Sequence, residues 1–150
     1  MDRLTAAANI TELQSKLVQR FGDNVRPGDE GLFVPPQLLA EVAAFIATSP
    51  GFDFNFLDMI TAVDRDDNFE LIYAFINLKV HQRLVLRTVT PRSQPCVPSI
   101  RHLWLGADFQ EREIFDLFGI RFEGHPDLRR IVLWEGYAGH PLRKDFHHDA

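Results

Sequence analysis

The chain of 150 residues is 45% hydrophobic and 25% charged, with a formal net charge of −5. That is the balance of a folded globular domain, and the acidic excess argues against nucleic-acid binding, which needs a concentrated basic surface. The one cysteine, Cys96, excludes an internal disulfide and cannot alone hold an iron–sulfur cluster or a four-thiolate zinc site.

No stretch approaches the roughly 18 apolar residues of a spanning helix, and Met1-Asp2-Arg3-Leu4 lacks the form of a secretory leader. The chain reads as a soluble protein of a reducing compartment that meets a membrane only through something else.

Ile10, Leu13, Leu17 and Phe21 recur at helical spacing and predict a helix over 11–21, capped by Asn9 or Thr11 and stopped by Gly22. Segment 23–30 is polar and reads as a loop, and Gly31-Leu32-Phe33-Val34 as a short strand. Pro35-Pro36 opens a second helix, whose stripe of Leu38, Leu39, Val42, Phe45 and Ile46 ends before Ser49-Pro50-Gly51.

Three strands follow, over 54–63, 69–78 and 83–90. The polar turns between them are too short for a parallel crossover, so the strands pair antiparallel. Arg83, Val85, Arg87 and Val89 alternate against Leu84, Leu86 and Thr88, giving the third strand one wet face. The middle strand is apolar on both faces and reads as central. The three prolines of 91–98 predict an irregular stretch. A third helix spans 107–118, with Asp108 and Glu111 at capping-box spacing, an apolar side of Phe109, Ile114, Phe115 and Phe118, and a stop at Gly119. From Arg121 onward only Ile131-Val132-Leu133-Trp134 is apolar, and the segment reads as an extended arm.

The third helix carries Glu111-Arg112-Glu113 and then Asp116. As a solvated face, this is an ordinary i,i+4 pair of Arg112 with Asp116. The alternative is a buried charge network that pins the helix to another segment, with Arg112 gripping an acid bidentately. A catalytic acid–base pair fails on geometry, because Glu111 and Glu113 point about 200° apart around a helix.

Gly124-His125-Pro126-Asp127-Leu128-Arg129-Arg130 is echoed fifteen residues later by Gly139-His140-Pro141-Leu142-Arg143-Lys144-Asp145. Proline holds each histidine in stretched backbone, free to bond sideways, and the basic pairs project from a chain that gains most by lying on another surface. His125, His140, His147 and His148 could supply imidazoles to a metal, but no zinc-type spacing accompanies them. His147-His148-Asp149 reads as a disordered end. No phosphate loop, nucleophile elbow or dinucleotide fingerprint is present, and Cys96 reads as a free thiol.

Glu111-Arg112-Glu113, Asp116-Leu117-Phe118, His125, Arg129 and Ile131-Val132 together resemble the signature of the 30-kDa subunit of respiratory complex I, the NADH:quinone oxidoreductase. Gly139-His140-Pro141-Leu142-Arg143-Lys144-Asp145-Phe146 is similar to that family's C-terminal arm, and Asp58-Met59-Ile60-Thr61-Ala62-Val63-Asp64 to its strands. The resemblance is sharpest over 97–146.

It implies an α+β fold, with helices packed on a small, mainly antiparallel sheet: a core domain over 1–120, then an extended arm over 121–150. It implies a cofactor-free, non-catalytic subunit of the peripheral arm of a proton-translocating NADH or ferredoxin:quinone oxidoreductase. The neighbours would be the 49-kDa subunit of the quinone site and the iron–sulfur subunits. The complex would hold the chain at the cytoplasmic side of the plasma membrane. The alternative the resemblance leaves open is the equivalent subunit of an energy-converting hydrogenase or of a deazaflavin-linked dehydrogenase complex.

The implied interface and structural residues are Glu111, Arg112, Glu113, Asp116, His125, Arg129, Arg130, His140, Arg143, Lys144 and Asp145, with Trp134 and Tyr137 as aromatic anchors. A His-dependent metalloenzyme and a generic adaptor docking through the arginines are the rival readings.

Overall fold

The computed structural model describes residues 3–148, with side chains from Ile10 onward. Met1, Asp2, Asp149 and Ala150 lie outside the described residues. So do parts of the readings of the leader, the disordered end and the two domain limits.

Helix α1 (Arg3–Phe21) begins before the predicted start, so Asn9 and Thr11 lie inside it and not at its N-terminus. Its buried stripe is Leu13 and Leu17, as the periodicity requires. Gly22 ends it at φ +66° and opens a 3₁₀ turn, Gly22–Asn24. Strands β1 (Arg26–Pro27) and β2 (Leu32–Phe33) flank the next loop and pair antiparallel. Helix α2 (Pro36–Thr48) starts on Pro35 and buries Leu39, Val42, Ala43 and Ile46.

Strands β3 (Phe56–Asp64), β4 (Asn68–Asn77) and β5 (Gln82–Pro91) form the predicted antiparallel meander. The sheet order is β1-β2-β5-β4-β3. β4 has a strand on each side, but β5 takes the middle because β2 adds to it in parallel, Leu32 opposite Leu86. Gly31 permits that approach: at φ +86°, a Cβ there would lie 2.3 Å from the Val85 carbonyl oxygen. The sheet is therefore mixed.

Leu71, Tyr73 and Phe75 of β4 and Leu84 and Leu86 of β5 build the core beneath the helices, where Phe75 meets Trp104 at 4.6 Å. The proline-rich stretch is not wholly irregular. Cys96–Pro98 forms β6, paired in parallel with β7 (Arg121–Glu123). Prolines suit such a short strand, which needs few backbone donors. Helix α3 (Ala107–Phe118) lies against β3, where Gln110 caps the Ile60 N–H at 2.7 Å. After Phe122 every described residue keeps some exposed surface, although the His125 side chain is fully covered, and after Glu123 there is no helix or strand among them. No described helix is long and apolar enough to cross a membrane.

Candidate functional site

Helix α3 reverses the usual inside–outside rule. Its buried residues include Glu111, Arg112 and Asp116, while Phe109, expected on the apolar side, is 65% exposed. The solvated-face reading is overturned, and so is the capping box. Gly106 is the N-cap and makes no side-chain bond. Glu111 turns away from the helix start instead, accepting the Ser99 hydroxyl at 2.6 Å and the Ile100 N–H at 2.8 Å. It thereby fixes the loop between β6 and Trp104. Burial pushes the Glu111 carboxyl above the usual range, although Ser99, Ile100 and His125 pull it down. Asp108 sits in the first turn, where its charge suits the helix dipole. It pairs with Arg101 at 3.1 Å and with His125 Nε2 at 3.4 Å.

Asp116 is fully buried at the other end of the helix. Its Oδ2 accepts three consecutive backbone N–H groups, from Ile131, Val132 and Leu133, at 3.0, 2.7 and 2.9 Å. Its Oδ1 takes Arg130 Nη1 at 2.8 Å. Burial alone would raise this carboxyl. The Leu133 N–H, the Arg130 guanidinium and the other two N–H groups outweigh burial and hold it below the usual range. Arg130 continues to the carbonyls of Tyr137 and Gly139, both at 3.0 Å. Arg112 does not grip an acid: it donates to the carbonyls of Arg129 and Arg130 at 3.1 and 3.2 Å. Four backbone carbonyls and three N–H groups of the C-terminal segment are thus held by three charged side chains, two of them on α3.

The two histidines of the echo clamp opposite ends of α3. His125 Nδ1 accepts the Asp127 N–H at 3.0 Å, leaving Nε2–H to face the Asp108 carbonyl at 3.3 Å. His140 Nδ1 donates to the Asp116 carbonyl at 2.8 Å. Gly119 makes room for it: the left-handed turn at φ +76° ends α3, and a Cβ there would lie 2.7 Å from the His140 ring. Leu142 N–H then reaches the Leu117 carbonyl at 3.0 Å.

The second half of the echo is latched to the turn between β3 and β4. Asp64, buried at the end of β3, accepts the Lys144 N–H at 2.9 Å, the Asp66 N–H at 3.0 Å and the Arg92 guanidinium. Burial opposes its ionisation, but these donors prevail and lower its pKa. Lys144 Nζ pairs with Asp66 at 3.2 Å. Arg143 chelates Asp145 and rests on the Phe69 ring at 5.2 Å, which Arg92 also meets at 4.9 Å.

The segment from Gly124 is therefore a strap on its own domain. Arg130, His140, Arg143 and Lys144 fold back rather than project. Arg129 is exposed and pairs with Asp127 at 2.9 Å, and Glu113 is exposed on α3. The sequence reading misses Arg92 and Ser99, and Asp108 enters it only as a helix cap. The one signal for Asp64 was its place in the run that begins at Asp58. The four C-terminal histidines do not converge, and among the described residues no three His, Cys, Asp or Glu side chains gather as a metal site.

Residues 32–150 match the family model described as respiratory-chain NADH dehydrogenase, 30 Kd subunit. A subunit of the NADH-quinone oxidoreductase of Roseiflexus sp. (strain RS-1) is 43% identical over 121 residues, 79% of this chain and 70% of that one. A subunit of the NADH-quinone oxidoreductase of Rhizobium etli (strain CIAT 652) is 39% identical over 143 residues, 89% of this chain and 75% of that one. A solved structure titled as the trypsin-resistant fragment (1-134) of Nqo5 superposes with a TM-score of 0.63 at 29% identity, over 82% of this chain and 99% of that one. The chain belongs to the 30-kDa subunit family of respiratory-chain NADH dehydrogenase.

Proposed function

We propose that this chain is a structural, assembly-critical subunit of a proton-translocating NADH or ferredoxin:quinone oxidoreductase. It carries no cofactor and performs no bond chemistry. The domain and strap sit beside the 49-kDa-like subunit and the iron–sulfur subunits, and the complex holds the chain at the cytoplasmic face of the membrane. Supporting this reading are relatives named as subunits of NADH-quinone oxidoreductases.

The observation that carries it is the use to which α3 puts its charges. Glu111 and Asp116 spend their buried charges on shaping backbone, Glu111 at Ile100 and Asp116 at 131–133. The strap so shaped presents Val132, Trp134 and Leu142 to solvent at 59, 69 and 53% exposure, and Leu105 and Phe109 around the start of α3 are exposed as well. Apolar side chains displayed by rigid backbone suit a partner surface.

The test is a Phe109→Ser, Val132→Ser chain replacing the native one in its host. Both side chains are exposed, so the variant should fold as the parent does by circular dichroism. Native electrophoresis of membranes should show the assembled complex lost or strongly depleted. Full assembly would defeat the reading. The electron donor follows from the same membranes, by comparing oxidation of NADH with that of reduced ferredoxin.

A further inference from the structure

The strap loop ends in an array of rings. Trp134 meets Tyr137 edge-on at 4.7 Å, Tyr137 stacks with Phe146 at 6.5 Å, and Phe146 with His148 at 6.4 Å. These four rings, with Gly136, Ala138 and His147, line an open recess of about 340 Å³. No lysine or arginine is in that lining. Trp134 is 69% exposed, a costly placement for an indole unless something covers it.

The recess is built rather than incidental. Asp116 fixes 131–133, Arg130 fixes the carbonyls of Tyr137 and Gly139, and the Tyr137 N–H closes a turn on the Trp134 carbonyl at 3.1 Å. A rigid loop has little conformational freedom left to lose when it binds. Aromatic faces carry negative potential and attract cations, and a flat guanidinium stacks on them best. The molecule already uses one of these rings that way, since Arg130 lies 5.8 Å from the Tyr137 centroid. Its charge is taken up by Asp116 at 2.8 Å, so it does not repel a second cation. Glu135 is exposed in the same loop and adds negative charge.

We propose that the recess formed by Trp134, Tyr137, Phe146 and His148 is a cation receptor that takes an arginine side chain of a neighbouring chain. This rests on the reading of the strap as a partner-facing surface, and it names the chemistry of the contact. The ligand is a guanidinium, held by π-faces and not by a carboxylate.

The probe is a pair of blocked peptides differing only in arginine or citrulline, whose urea head has nearly the same shape and no charge. Each is titrated into the isotope-labelled full chain. The indole N–H of Trp134 and the amides of Gly136 and Ala138 should shift saturably with arginine. The indole of Trp104, buried and bonded to the Phe54 carbonyl, should stay still. Citrulline should bind about three- to tenfold more weakly. Trp134→Leu keeps an apolar side chain but loses the ring, and it should reduce arginine to the citrulline level at the Gly136 and Ala138 amides. Equal binding of the two peptides would mean a plain apolar recess and overturn the proposal, as would absence of saturation or an unaffected Trp134→Leu chain. The titration needs no partner, so its failure removes the receptor alone, while the assembly assay decides the subunit reading alone.

Discussion

The domain and the strap are held by different physics. The domain buries Leu13, Leu39, Ile46, Leu71, Phe75 and Leu86 completely, and its cohesion is apolar. The strap leaves each of its described residues at least partly exposed, and its hold is polar: the carboxylates of Asp116 and Asp64, with Arg112 on its carbonyls and His125 and His140 on α3. Apolar cohesion has no protonation state. A carboxylate anchor does, and it fails all at once when its charge is removed. The strap can therefore be released while the domain stays folded, and the two should separate under mutation and acid.

The largest separation is expected for Asp116→Ala. It strands Arg130 and three N–H groups together, and losing one partner of such a buried network costs about 3–5 kcal/mol. That loss falls on strap opening. Amide exchange at Ile131, Val132 and Leu133 should accelerate by roughly a hundredfold or more, while exchange in β4 changes far less. Equal acceleration in both regions would mean that strap and domain unfold as one unit.

Acid should produce a milder form of the same split, and Asp64→Ala a local one. Asp116 and Asp64 both have lowered pKa values in the folded chain. Their stabilisation is thus full above the unfolded carboxyl value of about 3.9 and lost as pH falls through the lower folded values. The amide shifts of 131–133 and of Lys144 should hold at pH 5 and collapse below about pH 4, before the core signals do. Asp64→Ala should cost about 2–3 kcal/mol of latch stability, since Arg92 loses a charged partner. It should free the Lys144 amide but leave 131–133 protected.

Much of this contrast was legible before the structure, and the rest was not for a definite reason. Stripes such as Leu39, Val42 and Ile46 and the alternation of Arg83 to Val89 report burial directly, so α2 and the meander follow from pattern. Gly119 likewise marked the end of α3. The parallel pairing of β2 with β5 has no local signature, because it depends on Gly31 meeting Val85 across the fold. The α3 charges misled for a related reason. Periodicity treats Glu111, Arg112 and Asp116 as solvated, and only the presence of 99–100 and 129–133 opposite them makes burial tolerable. The family resemblance marked these residues as a unit, but not whose backbone they hold. The histidine echo came closest: stretched backbone before proline does let both rings bond sideways, yet onto this chain's own helix.

Glu111 offers a smaller effect of opposite sign. Burial raises its pKa, against the pull of Ser99 and Ile100. The folded chain therefore favours the protonated acid. The stability Glu111 contributes is full below the unfolded value of about 4.3 and lost as pH rises through the higher folded value. Glu111→Gln keeps an acceptor for the Ile100 N–H and a donor toward Ser99 without the charge. At pH 7 it should change stability by no more than about 1 kcal/mol, toward stabilisation. Its stability should also vary less than the parent's as pH rises above the unfolded carboxyl value of about 4.3, as read from denaturant midpoints. A loss of several kcal/mol at pH 7 would mean that the charge itself is required.

The smallest effect tests whether the strap needs its surface charges at all. Lys144 touches the domain twice, through its backbone N–H on Asp64 and through Nζ on Asp66. The side-chain pair is exposed on both partners, where screening and side-chain entropy leave about 0.5 kcal/mol or less. Lys144→Gln removes that pair and leaves the backbone bond, so the latch should hold and amide exchange at Lys144 should change by less than about threefold. The Lys144 side chain would then be dispensable for the latch, and its anchor would be the Asp64 carboxylate reading backbone. If Lys144→Gln instead freed the strap as fully as Asp64→Ala, the attachment would be an ordinary surface ion pair, and moderate salt should release it too.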